Sequence, residues 1–515
     1  MVAEVLTNNK RIAKNTLLLY LRMLLMMGIA LYTSRVILQV LGIVDFGIYN
    51  VVGGVVALLG FINTSLSGAS SRFLAFVLAK GNKSEIQNEL NCIRAIHYLV
   101  SGIVFILAET IGLWFVTNKL VVPEVRVTAA LWVYQCSVFS CIIMLTSLPY
   151  NALIIARERM SAFAYMSIIE ASLKLIIVYC LFIVPYDKLI VYSILMVVIL
   201  AIIRVMYAIY CRKHFEENFN QLSWNWNRFK EIFSYLGWVL YGNLSIIGYT
   251  QGLNILLNLF FGPIVNAARG IAVQIQNACN QFFMSFQMAV NPQITKSFAC
   301  GNLRNMHNLI LSSSRLSFYL MLLISLPILY QTEFILHLWL VNVPNHTANF
   351  VRIILLISLN YTLSGPTVIA IQATGRIKRF QIIEASLLLL IVPICYFFLV
   401  FFKISPEQVF ITYFVIDIVT QFVRVSIVYP QIKLPIKSYF VEILWPITKV
   451  CGLVWIIPTL ACKMMRGSEQ SIFSFSLITL SCLFSVVIIV LMVGIRKDEK
   501  MYIKKKLSVL KISGR

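Results

Sequence analysis

The stretches "IIARERMSAFAYMSIIEASL" at 154–173 and "VIAIQATGRIKRFQIIEASL" at 368–387 align without a gap, sharing Ile155 with Ile369, Ala156 with Ala370, and the whole of "IIEASL". Each copy runs out of one apolar segment, through a basic turn, into the next. Each sets a glutamate, Glu170 or Glu384, among residues that otherwise suit lipid. Two further landmarks recur at nearly the same spacing: "AKGN" at 79–82 with "ACGN" at 299–302, and, more weakly, "LGIVDFGIYN" at 41–50 with "FGPIVNAARG" at 261–270. One apolar hexamer can repeat by chance in a hydrophobic chain. Three landmarks in register point to two duplicated halves.

Composition says what is duplicated. Of 515 residues, 60% are hydrophobic and 12% charged, where a soluble domain carries about 25% charged residues. Apolar runs of membrane-crossing length follow one another along the chain, and short alternating segments of the transmembrane-barrel kind are lacking. The expected class is therefore an all-α integral membrane protein. The predicted helices, designated α1–α14 in order, cover 14–38, 47–71, 92–116, 127–149, 161–184, 188–210, 233–260, 267–291, 308–330, 350–373, 380–402, 407–429, 442–462 and 471–494. The repeat makes α1–α6 and α7–α12 two pseudo-symmetric six-helix lobes, with α13 and α14 appended. Six is even, so the lobes share one orientation and relate by an axis along the membrane normal. Secondary transporters use this plan, with the substrate site between the halves. The predicted divisions are 1–210, an interfacial linker at 211–232, a second lobe at 233–430, the last two helices at 431–495, and a basic tail at 496–515.

Net charge is +23. With both termini inside, the inner segments collect most of the Lys and Arg, from Lys10 and Arg11 through Arg157 and Arg159, Lys296, Arg376, Lys378 and Arg379 to the tail. The outer segments carry few, the bias expected of cytoplasmic loops. The N-terminal apolar run is too long for a cleaved signal peptide and reads as a first span. No basic soluble segment is long enough for a nucleic-acid domain. The 11 cysteines lie mostly within apolar runs, at no metal-ligand spacing, and read as packing residues. The outer loop at 331–349 has room for a small interfacial helix.

The sequences "TSRVILQVLGIVDFGIYNVVGG", "SRFLAFVLAKGN" and "NPQITKSFACGN", with the repeated "IIEASL", resemble the multidrug/oligosaccharidyl-lipid/polysaccharide (MOP) exporter superfamily, in its Wzx-type O-antigen flippase branch. The resemblance spans α1–α12. It implies a MATE/MOP-like pair of lobes that carries an undecaprenyl-pyrophosphate-linked oligosaccharide from the inner to the outer leaflet of the bacterial inner membrane by alternating access. It also implies a place in lipopolysaccharide O-antigen synthesis and a partnership with polysaccharide polymerase machinery. A relative that flips a peptidoglycan precursor uses cavity arginines on its helices 1, 2 and 8. Here helices 1 and 8 supply candidates, but α2 offers only Arg72 at its inner end.

Charges inside spans are costly and should face protein or water. Arg22, midway along α1, either snorkels toward the inner interface or turns its guanidinium to a cavity for bidentate contact with pyrophosphate. Arg35 lies near the outer end of α1, and Arg269 opens α8. That helix also carries Gln274, Gln276, Asn277, Asn280 and Gln281, and α7 carries Asn243, Asn254 and Asn258. Amides suit sugar hydroxyls because they both donate and accept. The substrate-binding set read from the sequence is Arg22, Arg35, Arg269, Lys174, Asn254, Asn258, Gln274, Asn277 and Gln281. Glu170 and Lys174, at i and i+4, form either a self-neutralised structural pair or a carboxylate with a free cavity lysine. Glu384 has Leu388 at the matching place, leaving Arg379 as the partner in reach along the chain. Asp45 is a turn residue or a gate partner for Arg35 or Arg269; Glu109 reads as structural. Asp45, Glu170 and Glu384 are the coupling and gating candidates. Gly365–Pro366 in α10 is the candidate hinge.

The reading expects no enzyme, no catalytic or metal site and no cofactor, a proton or sodium ion as the coupling ion if one is used, membrane lipids around it, and a monomer. The rival is a cation-coupled, MATE-like multidrug exporter, which would want an acidic, aromatic interior. A membrane enzyme would want a large outer loop or a paired-carboxylate motif, and neither is present. No Walker motif occurs.

Overall fold

The computed structural model describes residues 2–57, 60–118, 123–217, 225–340, 343–464 and 472–496, although some side chains within helices, most of them in α1 and α2, lie outside that description. The middle of the predicted linker (218–224) and the tail from 497 also lie outside it. The predicted helices are all present. They occupy α1 (2–41), α2 (43–57 and Gly60–Lys80), α3 (Lys83–Asn118), α4 (Glu124–Ala156), α5 (Met160–Ile183), α6 (Lys188–His214), α7 (Trp226–Gly262) and α8 (263–299). They continue with α9 (Leu303–Tyr330), α10 (Thr347–Thr374), α11 (Lys378–Phe402), α12 (Pro406–Gln431), α13 (Ile436–Met464) and α14 (Phe473–Gly494). A short helix at Thr332–Trp339 sits in the loop expected to hold one. Eleven of the helices are long and apolar enough to cross a membrane among the described residues. The stretch 268–299 of α8 is long enough but falls short in apolarity because of its amides.

The repeat is visible in the backbone. The weakest sequence landmark becomes the strongest structural one. Gly42, between α1 and α2, has φ 77° and ψ 171°; Gly262, between α7 and α8, has φ 79° and ψ −174°. That region is open essentially to glycine alone. The "AKGN/ACGN" pair behaves the same way: Gly81 (φ 76°) and Gly301 (φ 71°) follow the last turns of α2 and α8, as left-handed residues that end a helix. A Cβ on Gly42 or Gly262 would meet nothing within 4 Å, so the demand is on the backbone and not on space. Gly42→Ala and Gly262→Ala should each lose about 1–3 kcal/mol, read from unfolding in detergent. Gly28→Ala, where a Cβ also meets nothing within 4 Å, should lose none. Equal behaviour of all three would mean that the glycine conformation is not required.

The chain packs into two compact units, Met1–Leu244 with Met288–Asn302, and Ser245–Gln287 with Leu303–Arg515. The change of unit falls inside α7 and α8, downstream of the predicted 232/233 division, and side-chain chemistry accounts for it. In the first unit Asn243 Nδ2 donates to Ser65 Oγ at 2.6 Å, and the Tyr235 ring lies 5.1 Å beneath the Arg72 guanidinium and edge-on to Phe73. The end of α8 is held to the α4–α5 turn, where Lys296 Nζ donates to Glu158 Oε1 at 2.6 Å and Gln293 donates to the other carboxylate oxygen. Glu158 is itself left-handed (φ 60°) and buried. At the opposite end of this unit, Arg126 donates to both Asp45 and Asp187. Asp187 also caps α6, accepting from Leu189 N at 3.0 Å. Burial works against its charge, but the Arg126 guanidinium and the α6 amides outweigh it and hold the carboxyl below the usual range.

The second unit repeats the plan with other residues. Where Arg126 and Asp187 open α4 and α6, His346 and Glu407 open α10 and α12, with Nδ1 and Oε1 2.5 Å apart. Ser405 and Gln408 make a capping box before α12, with Pro406 in its first turn. The pair α13–α14 packs on α9: Arg315 donates to the Glu442 carbonyl at 2.8 Å, Tyr319 to that of Gly494 at 3.1 Å, and Gln331 to Thr479 Oγ1 at 3.1 Å. Helix α10 runs unbroken through Pro366. A Cβ on Gly365 would come within 3.2 Å of the Phe283 ring, so close packing of α10 against α8 explains this glycine without a hinge.

Candidate functional site

In the first unit the sequence-predicted cation on α1 is brought against α5. The Arg22 guanidinium stacks over the Phe163 ring at 4.7 Å, beside an apolar cluster of Leu19, Met160 and Ala289. Its Nε and Nη1 are buried and make no hydrogen bond, and no carboxylate pairs with it among the described residues. Glu170, one face along α5, is already engaged: Lys174 Nζ donates to its Oε1 at 2.6 Å. Glu170 therefore has its ion pair in Lys174, and Arg22, within electrostatic reach of Glu170 and Tyr207, makes no ion pair of its own among the described residues. The side chain of Arg35 lies outside the described residues.

In the second unit Arg269 takes the corresponding part. Its Nη1 donates to Asn254 Oδ1 at 3.1 Å and its Nη2 to the Thr250 carbonyl at 2.8 Å, while Nε is buried without a partner. Neutral acceptors hold the side chain in place and leave its charge uncancelled. Along α8 the amides divide by face. Gln276 donates to Ser358 on α10 at 3.0 Å and Gln287 to Ser317 on α9 at 2.7 Å. Gln274, Asn277 and Gln281, at i, i+3 and i+7, form a single exposed stripe, and Asn258 on α7 is exposed too. An amide stripe on the outward face of a membrane-length helix is suited to water or a polar ligand and unsuited to acyl chains.

The three gating candidates, Asp45, Glu170 and Glu384, are each matched to a cation, and the partners of Asp45 and Glu384 are not the ones expected. Asp45 meets Arg126, a partner the sequence did not suggest. Glu384 meets Arg424 of α12 and not Arg379: Nε and Nη2 donate to its Oε1 at 2.8 and 2.5 Å, and Nη1 reaches Gln421, whose amide donates to Tyr439. A pair forty residues apart leaves no helical spacing to read. One signal was available. "RV" at 204–205 recurs at 424–425, in register with the other landmarks. In the first unit Arg204 donates instead to Thr146 Oγ1 at 3.0 Å, because Lys174 has taken Glu170. Asp417 on α12 is buried and enters no ion pair among the described residues; it accepts from Asn360 Nδ2 at 2.8 Å. Among the described residues no three His, Cys, Asp or Glu side chains gather as a metal site.

Three comparisons bear on this arrangement. A family described as polysaccharide biosynthesis proteins matches residues 12–299. No curated protein matches the sequence. Solved structures match over 83% of this chain and 96% of theirs. One is an outward-facing multidrug-resistance MATE transporter of the MOP superfamily (12% identity, TM-score 0.73). Another is a MOP transporter from Pyrococcus furiosus whose binding pocket is described as of reverse polarity, suggesting a different function (12%, 0.71). A third is MATE in its straight conformation (13%, 0.71). At such identities the likeness is one of fold.

Proposed function

The chain belongs to the polysaccharide biosynthesis protein family and has the fold of MOP-superfamily transporters, and we propose that it moves an undecaprenyl-pyrophosphate-linked oligosaccharide between membrane leaflets by alternating access. The observation that carries this reading is that each unit keeps an arginine on a helix predicted to cross the membrane, Arg22 and Arg269, that enters no ion pair among the described residues and whose guanidinium retains buried, unbonded nitrogens. Leaving such a charge buried and unmatched is costly, and a pyrophosphate would offset that cost with charge-assisted, bidentate bonds. The exposed amides Asn258, Gln274, Asn277 and Gln281 supply donors and acceptors for a glycan. With a negative interior, outward movement of charge yields about 2.3 kcal/mol per charge per 100 mV, so a dianionic headgroup can be driven by the potential.

A multidrug role for the same fold would call for exposed acids to hold organic cations. Asp45, Glu170 and Glu384 are each committed to a basic partner, which disfavours it. If a cation is coupled to transport, Asp417 is a better candidate than those three, since it is buried, enters no ion pair among the described residues and accepts one amide hydrogen bond. The test is transport by the purified chain in vesicles. The glycan of an undecaprenyl-pyrophosphate-linked oligosaccharide should become accessible to an impermeant glycosidase at least tenfold faster than in empty vesicles, with ethidium movement unchanged. Ethidium transport without glycan movement would select the multidrug role.

A further inference from the structure

The α10–α11 turn of the second unit borders a cavity of about 530 Å³ that lies apart from Arg269 and the amide stripe in sequence and composition. Arg376, Lys378 and Arg379 line it, with Ile382 and Ile383 one turn along α11 and Gln431 at the end of α12. Arg376, Lys378, Arg379, Ile382 and Gln431 are all exposed. Neither Arg376 nor Arg379 enters an ion pair among the described residues. The nearest acid along the chain, Glu384, is held by Arg424. The volume falls in the range of small-ligand sites, about 300–1,000 Å³.

The repeat supplies the comparison. In the first unit, the equivalent α4–α5 turn and the end of α6 also border a cavity, of about 250 Å³, lined by Leu78, Arg157, Arg159, His214, Phe215 and Lys296. There the protein provides the anions itself: Glu217 pairs with Arg157 and Glu158 with Lys296. Both cavities sit at the corresponding turn of the repeat, but their basic residues do not align: Arg376, Lys378 and Arg379 stand opposite Ala162, Ala164 and Tyr165. The first is closed by carboxylates. The second is larger and has no acid in its lining. It is flanked by isoleucines at the start of a membrane-length helix, where polar and apolar surroundings meet.

We infer that this second cavity binds the phosphate headgroup of an anionic phospholipid from the leaflet at the basic end of the bundle. A phosphodiester matches the forked donors of Arg376 and Arg379, Lys378 adds a point charge, and Ile382 and Ile383 face the glycerol and upper acyl carbons. A soluble phosphate would gain nothing from the isoleucines. This inference needs only the membrane-spanning reading of the helices and does not depend on what the protein transports.

The full chain in mild detergent, titrated with phosphatidylglycerol or phosphatidylcholine and weighed by native mass spectrometry, provides the test. Wild type should retain phosphatidylglycerol at least fivefold over phosphatidylcholine. R376Q/K378Q/R379Q should fall to the phosphatidylcholine level. Q431E, a single change at the exposed rim, should lower retention at least twofold and guards against misfolding of the triple variant. K433Q/K437Q, which removes two charges from the same end outside the cavity, should behave as wild type. Unchanged retention in both cavity variants, or an equal loss in K433Q/K437Q, overturns the site. Displacement of the lipid by equimolar inorganic phosphate overturns the lipid assignment.

Discussion

Replacing Arg22 or Arg269 with alanine should cut transport of the lipid-linked oligosaccharide by about ten- to a hundredfold. A hydrogen bond to a charged group contributes about 1.5–3 kcal/mol, and each guanidinium can offer two to one pyrophosphate. The lysine variants should fall between wild type and alanine, because lysine keeps the charge but loses the fork. Folding should be little affected by the alanine changes. Arg22 stacks on the Phe163 ring and Arg269 donates to neutral oxygens, and Glu170, the acid within reach of Arg22, keeps Lys174. The same two variants distinguish the functions, since removing uncancelled cations should leave transport of an organic cation unchanged or raise it. The measurement is the glycosidase-accessibility rate, with ethidium movement alongside. Wild-type rates in both alanine variants would mean that these arginines do not meet the substrate.

Much of this architecture was legible before any coordinates, and the exceptions have a common physical cause. The number and order of the helices followed from runs of apolar residues, a property that depends on nothing distant, whereas their polar ends did not: α1 begins at Val2 against a predicted 14, and α3 at Lys83 against 92. Gly42 and Gly262 lay in the least convincing of the three repeated landmarks, yet they carry the tightest structural match, because sequence similarity counts identities while the backbone needs one residue type at one place. The polarity of α8 was equally plain. Which of its amides point outward required only the helical phase: 274, 277 and 281 share a face that excludes 276 and 287. Charge partners were the failures. Along a helix, sequence offers i+4, and it found Lys174 for Glu170. For Glu384 the same search could return only residues on its own helix, whereas the partner stands on α12. Ion pairing in a bundle is set by which helices touch, a property of tertiary packing. For the same reason the acids chosen as gates turned out to be the satisfied ones, while Asp417, equally plain in the sequence as an acid within α12, was given no role.

That tertiary pairing leads to the largest expected effect on stability. The Glu384–Arg424 pair is deeply buried, with side-chain exposures of 14% and 4%, against 23% and 31% for Glu170 and Lys174. Arg424→Met should destabilise the protein by about 3–5 kcal/mol, because it strands a buried carboxylate. Asp417, on the same helix and also buried, lies within electrostatic reach of Arg424, so two buried acids would be left without that cation. Glu384→Leu combined with Arg424→Met should recover most of that loss, since well-packed apolar replacements for a buried pair are often neutral. Recovery should be incomplete, because Gln421 loses the donor it accepts from. Lys174→Met should cost about 1 kcal/mol or less, as expected of a pair that water still reaches. The ordering, read from thermal unfolding of wild type and these three variants in one detergent, is the prediction. If the double variant is as unstable as Arg424→Met alone, the loss comes from packing around the arginine and the buried charge is not what matters. If Lys174→Met proves as damaging as Arg424→Met, then Glu170 is no better solvated than Glu384, and the two halves use their shared glutamate in the same way after all.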